Sequence, residues 1–108
     1  VGWIEASELM PRLDAAEAVA IVDVRRADEF AGPLGHIADA RNVPLDELPG
    51  RAGELASLSE TPVVLVCKTD RRSARAAALL AAAGFRHVLV LRGGMVSWNA
   101  AGLPIAAR

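Results

Sequence analysis

The chain has 108 residues, of which 53% are hydrophobic and 23% are charged, a balance typical of one globular domain and unlike that of a disordered segment. Its net charge is −1 and no apolar run approaches the roughly 20 residues of a membrane span, so we expect neither nucleic acid nor a membrane as a partner. One cysteine and two distant histidines exclude an internal disulfide and give no recognisable metal-ligand spacing.

The first half of the chain is predicted to contain one buried strand among helices. A helix begins near Ser7, a residue suited to an N-cap, although Pro11 is unfavourable so far inside it. The apolar and largely β-branched run Ala18–Val24 predicts a strand. Residues Leu45–Leu58 predict one or two short helices, broken by Pro49 and the glycine after it.

The second half is predicted to contain two more strands and two helices. The strands are the apolar runs Pro62–Cys67 and His87–Leu91. Between them, Ser73 is suited to cap an alanine-rich helix, which Gly84 can close in the left-handed conformation. The last helix lies in MVSWNAAG and is predicted to end at Gly102.

The three apolar runs are nearly continuous rather than alternating, which is typical of strands that are covered on both faces in a parallel sheet. Parallel strands need crossover connections, and the helical segments between the runs can supply them. We therefore predict a small α/β fold. We expect residues 1–108 to form a single domain, which could have been excised from a longer chain because residue 1 is not methionine.

The single cysteine follows a predicted buried strand and precedes a polar loop. Residues Lys68–Arg72 must connect Cys67 to the next helix, so their backbone N–H groups can form an anion-binding nest beside the positive end of that helix. The cationic residues that follow closely are Lys68, Arg71, Arg72 and Arg75. Such a setting favours the thiolate, which is the nucleophilic form of cysteine. The alternative is a cysteine buried in the core behind a solvated cationic face.

Three stretches of the chain match motifs that occur together in one protein family. The first is IVDVRRADEFAGPLGHIADARNVPLDEL, with Asp23, Arg25, Glu29, Phe30, Gly35, His36, Ile37, Ala40, Asn42 and Pro44 in place. The second is CKTDRRS, which contains Cys67 and Arg72. The third is LRGGMVSWNAAGLPI, with Gly93, Gly94, Trp98, Gly102 and Pro104. Together they resemble the signatures of the single-domain rhodaneses over nearly the whole chain. In this resemblance CKTDRRS corresponds to the active-site loop, with Cys67 as the persulfide-forming residue and Arg72 as the closing arginine.

The resemblance implies a rhodanese-like fold, with a mostly parallel sheet of about five strands and helices on both faces. It also implies a sulfurtransferase in which the Cys67 thiolate takes the outer sulfur of thiosulfate or a persulfide donor. A thiol or cyanide then removes that sulfur, and a sulfur-relay protein could be a partner. The loop residues that would bind the substrate are Lys68, Thr69, Asp70, Arg71, Arg72 and Ser73. The resemblance implies no metal or organic cofactor.

Asp70 departs from the family pattern, which often has glycine at this position. Glycine suits a left-handed loop residue, and aspartate tolerates that conformation better than most residues do. The carboxylate would also oppose the thiolate and repel thiosulfate, which would partly offset the arginines. A protein or small-molecule persulfide could therefore be a better donor than thiosulfate.

Four residues outside the loop are candidate supporting residues: Asp23, Arg25, Glu29 and His36. Arg25 follows the first apolar run and either faces the Cys67 pocket or forms an ion pair with Glu29, four residues on. Asp23 is interpreted as capping nearby backbone groups. His36 is interpreted as a structural, hydrogen-bonding histidine, because a thiolate that is already ionised by its loop needs no general base.

Two tryptophans and two glycines complete the sequence predictions. Trp3 and Trp98 are predicted to be core aromatics. Gly93 and Gly94 are predicted to make a tight turn near the site, and this pair of glycines is too weak a pattern to indicate nucleotide binding.

Two other functions are compatible with these residues. Cysteine phosphatases and arsenate reductases have, as a family pattern, five residues between cysteine and arginine, whereas four separate Cys67 from Arg72. The shorter loop is better sized for a sulfur atom than for a tetrahedral phosphate. The other alternative is a non-catalytic rhodanese-like module that binds a partner, although such modules commonly lack the cysteine. The lone cysteine and the lack of a secretory pattern in residues 1–10 predict a cytoplasmic location.

Overall fold

A sheet of five parallel strands lies at the centre of the fold, in a computed structural model that describes residues 1–106. The strands are β1 (Gly2–Ile4), β2 (Ala20–Asp23), β3 (Arg41–Asn42), β4 (Val63–Val66) and β5 (Val88–Leu91). Their order across the sheet is β1-β5-β4-β2-β3, which puts β4 in the middle. Each neighbouring pair is parallel, so the predicted α/β fold with a mostly parallel sheet is confirmed.

Five helices and two 3-10 segments accompany the strands in the described part of the chain, and the last helix follows the last strand. The helices are α1 (Ala6–Asp14), α2 (Ala27–Phe30), α3 (Leu48–Arg51), α4 (Arg71–Ala82) and α5 (Gly94–Ala100). The 3-10 segments, Leu45–Glu47 and Ala52–Leu58, flank α3. Within residues 1–106, no helix is long and apolar enough to cross a membrane.

The three strands predicted from apolar runs are β2, β4 and β5, and each is shorter than its run. Because β4 ends at Val66, Cys67 is the first residue of the following loop. The edge strands β1 and β3 have only three and two residues, too few for an apolar pattern to reveal them.

Helices cover both faces of the sheet, as predicted. Along β4, fully buried side chains alternate between the two faces. Val63 and Leu65 pack in a core with residues of α4. Val64 and Val66 pack in a second core with residues of α1 and α5. The carboxyl end of β4 is therefore held between two hydrophobic layers, and this fixes the position of the loop that follows it.

The start of α1 differs from the sequence prediction. Its N-cap is Glu5, which forms a reciprocal capping box with Glu8, and the N–H of Glu5 donates to Oε1 of Glu8 at 2.9 Å. Ser7 consequently lies in the first turn and is not the cap. Pro11 lies inside α1; because Ser7 is exposed, water can bind the Ser7 carbonyl that a proline leaves without a helical donor.

Two other predicted helix boundaries are wrong. The helix α4 begins at Arg71 with Asp70 at its N-cap, so Ser73 is a buried residue of the first turn instead of the cap. Pro49 and Gly50 do not interrupt the helical segment between β3 and β4, because both residues lie within α3. A proline in the first turn of a helix loses no helical hydrogen bond, which explains why Pro49 is tolerated there.

The predicted helix ends at Gly84 and Gly102 are confirmed. Their φ angles are +96° and +69°, the left-handed region that favours glycine. The N–H of Gly84 donates to the carbonyl of Ala81 at 3.1 Å, and the N–H of Gly102 donates to that of Asn99 at 2.9 Å. These bonds satisfy carbonyls at the ends of α4 and α5.

The two tryptophans have different environments. Trp98 is buried, and its indole N–H donates to the carbonyl of Pro104 at 2.8 Å, so its prediction as a core residue is confirmed. The corresponding prediction for Trp3 is wrong. Trp3 lies on the edge strand β1 with 45% of its surface exposed, and the guanidinium carbon of Arg92 is 4.6 Å from its ring centroid. The Trp3 ring therefore packs against the Arg92 cation instead of against residues of the core.

Candidate active site

Cys67 lies where the central strand β4 ends and points towards the first turn of α4. Only 1% of the residue is exposed. Its Sγ is 3.4 Å from the backbone N of Ser73 and 3.3 Å from Oγ of Ser73. The Ser73 hydroxyl in turn donates to the carbonyl of Asp70 at 3.2 Å. The thiol thus belongs to a buried polar chain that ends at the N-cap of α4, in which the backbone N–H of Ser73 is a donor available to a thiolate.

The loop after Cys67 is held in place by the start of α5. The N–H of Met95 donates to the carbonyl of Cys67 at 2.9 Å, and the N–H of Val96 donates to the carbonyl of Lys68 at 3.0 Å. In a trans peptide the C=O and the following N–H point in opposite directions, so the N–H groups of Lys68 and Thr69 point away from α5. Among the described residues, neither of these N–H groups has an acceptor. They are therefore available to bind an anion in the manner predicted for the loop.

The glycine pair at the start of α5 makes this close approach possible, and the predicted tight turn near the loop is confirmed. Gly93 and Gly94 have φ angles of +74° and +53°. A Cβ atom at Gly94 would overlap the backbone oxygens of Cys67 and Thr69. A residue with a side chain would therefore push the loop away from α5.

Asp70 is tied to the same turn. Its Oδ2 accepts the backbone N–H of Gly93 at 3.3 Å. Its φ angle is −146°, so the expectation of a left-handed residue at this position is wrong. The loop does not require glycine here, because the φ angle is negative and the side chain has a partner of its own.

Arg72 forms an ion pair with Glu29 across the mouth of the site. Its Nη1 and Nη2 donate to the two carboxylate oxygens of Glu29 at 2.6 and 3.0 Å. The hydrogen bonds from Arg72 lower the pKa of Glu29 to about 2; desolvation by burial opposes this shift. The same hydrogen bonds raise the pKa of Arg72. This pair fixes the Arg72 guanidinium, and it joins α2 to the first turn of α4.

The predicted alternative of an Arg25–Glu29 ion pair is therefore wrong. Arg25 is buried and pairs with Asp23, with Nη2 to Oδ2 at 2.8 Å and Nε to Oδ1 at 2.9 Å. It contacts only the backbone carbonyl of Glu29, at 3.2 Å, and donates to the carbonyl of Gly35 at 2.7 Å. Asp23 also accepts the backbone N–H of Arg25 at 3.1 Å, which is the capping role predicted for it.

His36 is held by its neighbours in the way expected of a structural residue. Its ring stacks on Phe30 with centroids 3.8 Å apart, and Nδ1 lies 3.0 Å from the carbonyl of Phe30. Its backbone pairs with Ala106.

Asn42 has a structural role that the sequence did not reveal. Its amide donates to the carbonyls of Asp23 and Arg25 at 3.0 and 2.9 Å, which fixes the turn after β2. The sequence feature that could have indicated this role is the amide side chain itself, which follows the charged turn after β2.

An open pocket of about 590 Å³ surrounds the loop. The residues that line it are Leu45, Cys67, Lys68, Thr69, Arg71, Arg72 and Arg75. Leu45 was not predicted as a site residue, whereas Arg75 was predicted as one of the cations near Cys67. Within residues 1–106, no carboxylate lies within 4.0 Å of the charged atoms of Lys68, Arg71 or Arg75, so their positive charge is not neutralised locally. The described residues also contain no group of three or more His, Cys, Asp and Glu side chains that could hold a metal ion.

Residues 5–101 match the family described as the Rhodanese-like domain. The chain belongs to this family. The predicted family resemblance is confirmed, since the match covers most of the chain together with Cys67, the loop after it and the glycine turn of α5.

Individual relatives agree with this assignment. A protein of Allochromatium vinosum named Sulfurtransferase is 38% identical over 107 residues, which are 99% of this chain and 96% of that protein. A rhodanese-related protein of Thermoplasma volcanium has a TM-score of 0.88 and 27% identity, with each chain fully covered. A thiosulfate sulfurtransferase of Pseudomonas aeruginosa has a TM-score of 0.87 and 32% identity over 99% of this chain and 20% of that longer one. Other curated relatives are also longer: the chain spans 53% of one from Synechocystis and 60% of one from Bacillus subtilis.

Proposed function

We propose that this protein is a sulfurtransferase that carries sulfane sulfur as a persulfide on Cys67. The observation that carries this proposal is the thiol at the end of β4. It lies against the first turn of α4, near two loop N–H groups that have no acceptor within residues 1–106, and in a pocket lined by cations. The names of the relatives from Allochromatium vinosum and Pseudomonas aeruginosa support sulfur transfer, and the second supports thiosulfate as the first donor to test.

The first step loads sulfur onto the enzyme. The Cys67 thiolate attacks the outer sulfur of thiosulfate, a new S–S bond forms, and sulfite leaves with the electron pair of the broken bond. With a persulfide donor, the leaving group is the donor thiolate instead. The positive charge of Lys68, Arg71 and Arg75 attracts the anionic donor, and Arg72, fixed by Glu29, adds a cation with a defined direction.

The second step unloads the enzyme. A thiolate or cyanide attacks the outer sulfur of the persulfide, and Cys67 leaves as a thiolate, so the starting form returns without a net redox change. The N–H groups of Lys68, Thr69 and Ser73 stabilise the anionic sulfur in both steps. A general base is not needed, which agrees with the stacked and hydrogen-bonded position of His36.

The test is the intact mass of the protein before and after exposure to thiosulfate, and again after cyanide. We expect the addition of one sulfur atom that maps to Cys67 and is lost to cyanide. The experiment is repeated with a small-molecule persulfide, because Asp70 could disfavour thiosulfate. A folded protein with a free thiol that gains no sulfur from either donor would contradict the proposal and favour the non-catalytic binding module. The predicted cytoplasmic location stays a prediction.

A further inference from the structure

Two adjoining depressions, one of which contains Cys67, share part of their lining. The pocket around the loop and a second depression have Leu45, Arg72 and Arg75 in common. The second depression is further lined by Val24, Arg26, Pro44, Asp46, Pro49 and Leu79. We call the combined surface the arginine groove.

One helix face forms a wall of the arginine groove. Arg72, Arg75 and Leu79 are spaced by three and four residues in α4, which places them on the same side of the helix. Leu79 is 45% exposed although it is a large apolar residue. Across from it lie Leu45 and Pro49, which belong to the segment around α3. The groove thus combines cations with exposed apolar side chains, and the apolar side chains of Leu79 and Pro49 line the depression that does not contain Cys67.

The arginine groove also has an excess of positive charge. Arg26 and Arg72 are paired with Asp28 and Glu29, whereas three further lining cations, Lys68, Arg71 and Arg75, have no carboxylate within 4.0 Å among the described residues. Asp46 is the carboxylate among the lining residues. Because the whole chain carries a net charge of −1, this local excess is a feature of the groove and not of the overall composition.

A small donor uses only one end of such a surface. Thiosulfate needs the loop N–H groups and nearby cations, but it makes no use of Leu79 or Pro49, which line the second depression and not the one that contains Cys67. A polypeptide can use both ends, since its acidic side chains can contact the arginines while an apolar side chain covers Leu79.

Building on the proposed function, we propose that the arginine groove docks an acidic segment of a protein thiol, which accepts the sulfur from Cys67. The segment places acidic side chains against Arg75 and an apolar side chain against Leu79, and its cysteine reaches the loop. The acceptor thiolate attacks the outer sulfur of the Cys67 persulfide. A bond forms between the acceptor sulfur and the outer sulfur, the bond to Cys67 Sγ breaks, and Cys67 leaves as a thiolate.

The test uses two synthetic peptides, each with one cysteine and one leucine. The first peptide carries several glutamates, and the second has lysines at the same positions. The rate of sulfur transfer from the loaded protein to each peptide and to dithiothreitol is measured at low and high salt. We expect the glutamate peptide to react at least about tenfold faster than the lysine peptide at low salt, and the difference to shrink at high salt.

Three variants locate the effect. Arg75→Glu should remove most of the preference for the glutamate peptide, and Leu79→Ser should slow both peptides by a few-fold. Arg86→Glu makes the same charge change just before the amino end of β5, whereas Cys67 follows the carboxyl end of β4. This variant should leave the preference intact. Transfer to dithiothreitol should change little in Leu79→Ser and Arg86→Glu, and for Arg75→Glu the preference is read as the ratio of the rates for the two peptides. Equal rates for the two peptides, or an equal effect of Arg75→Glu and Arg86→Glu, would overturn the proposed docking site.

Binding of the glutamate peptide to the Cys67→Ser variant separates this inference from the proposed function. Fluorescence anisotropy should show tighter binding than for the lysine peptide, and Arg75→Glu should weaken it. Peptide binding without any persulfide on the wild-type protein would support the groove as a partner site but overturn its role in sulfur transfer. Persulfide transfer to small thiols without preferential peptide binding would overturn the groove while the sulfurtransferase activity stands.

Discussion

The loops that follow β2 and β4 lie side by side at the carboxyl ends of these parallel strands, yet their polar groups have opposite roles. After β2, Arg25 and Asp23 are buried and bind each other and the backbone around them. After β4, loop N–H groups lack acceptors and cations such as Arg75 lack carboxylate partners within residues 1–106. Charged residues at the end of a strand therefore form a rigid framework in the loop after β2, whereas those after β4 remain available to bind a ligand.

Loss of the buried ion pair should have the largest effect on stability. Arg25→Ala leaves the Asp23 carboxylate buried without its partner, and we expect the free energy of unfolding to fall by about 3–5 kcal/mol. Urea unfolding at neutral pH measures this change. Arg26→Ala removes the neighbouring exposed arginine and should change the stability little. Similar losses in the two variants would show that the loop after β2 is not the rigid framework described here.

A side chain at the glycine turn should disturb the loop after β4. Gly94→Ala places a methyl group against the backbone oxygens of Cys67 and Thr69 in a left-handed conformation, so we expect lower stability and at least about a tenfold loss of sulfur transfer.

Gly84→Ala is the matched control for this change. Its φ is also positive, but a Cβ atom there would lie in open space. It should cost only the conformational strain of about 1–2 kcal/mol and leave the rate of sulfur transfer unchanged. Equal rates in the two variants would mean that the contact between α5 and the loop does not position Cys67.

The Glu29–Arg72 pair predicts a pH-dependent stability. The pKa of Glu29 is lowered from 4.5 to about 2, so its contribution is fully present above pH 4.5 and is lost as the pH falls towards 2. Because the pair is partly solvated, we expect it to contribute about 1–2 kcal/mol. The difference in unfolding free energy between wild type and Glu29→Gln should be constant above pH 5 and vanish near pH 2. A difference that does not change with pH would contradict this assignment.

The Ser73 hydroxyl should have the smallest effect. Ser73→Ala removes a contact at 3.3 Å from Sγ but keeps the backbone N–H at 3.4 Å. The hydroxyl donates to Asp70 and accepts the S–H of Cys67, so it favours the neutral thiol. We therefore expect alkylation of Cys67 by iodoacetamide to become about two- to fivefold faster in Ser73→Ala, the value of one neutral hydrogen bond. Ser73→Thr, which keeps the hydroxyl, should restore the wild-type rate. Slower alkylation in Ser73→Ala would show instead that the hydroxyl donates to the thiolate.

The parts of this molecule that follow from local sequence were predictable. Continuous apolar runs indicated β2, β4 and β5, and glycine marked the ends of α4 and α5 at Gly84 and Gly102. The placement of Cys67 beside a cationic loop followed from the strand that precedes it and the helix that comes after it.

The parts that depend on distant partners were not predictable in the same way. Helical spacing paired Glu29 with Arg25, whereas the fold pairs it with Arg72, 43 residues away. The available signal was the parallel pairing of β2 with β4, which brings the residues after both strands to one edge. Likewise, nothing local indicates that Trp3 is covered by Arg92 instead of the core.

The central claim is that Cys67 carries sulfur and is not merely a small core residue. The most direct measurement compares wild type with Cys67→Ser, in sulfur transfer from thiosulfate or a small-molecule persulfide to cyanide and in urea unfolding. We predict that the variant loses all transfer above the uncatalysed rate, while its unfolding free energy changes by less than about 1.5 kcal/mol, because the two side chains are close in size. Transfer that survives the substitution, or a variant that no longer folds, would contradict the central claim.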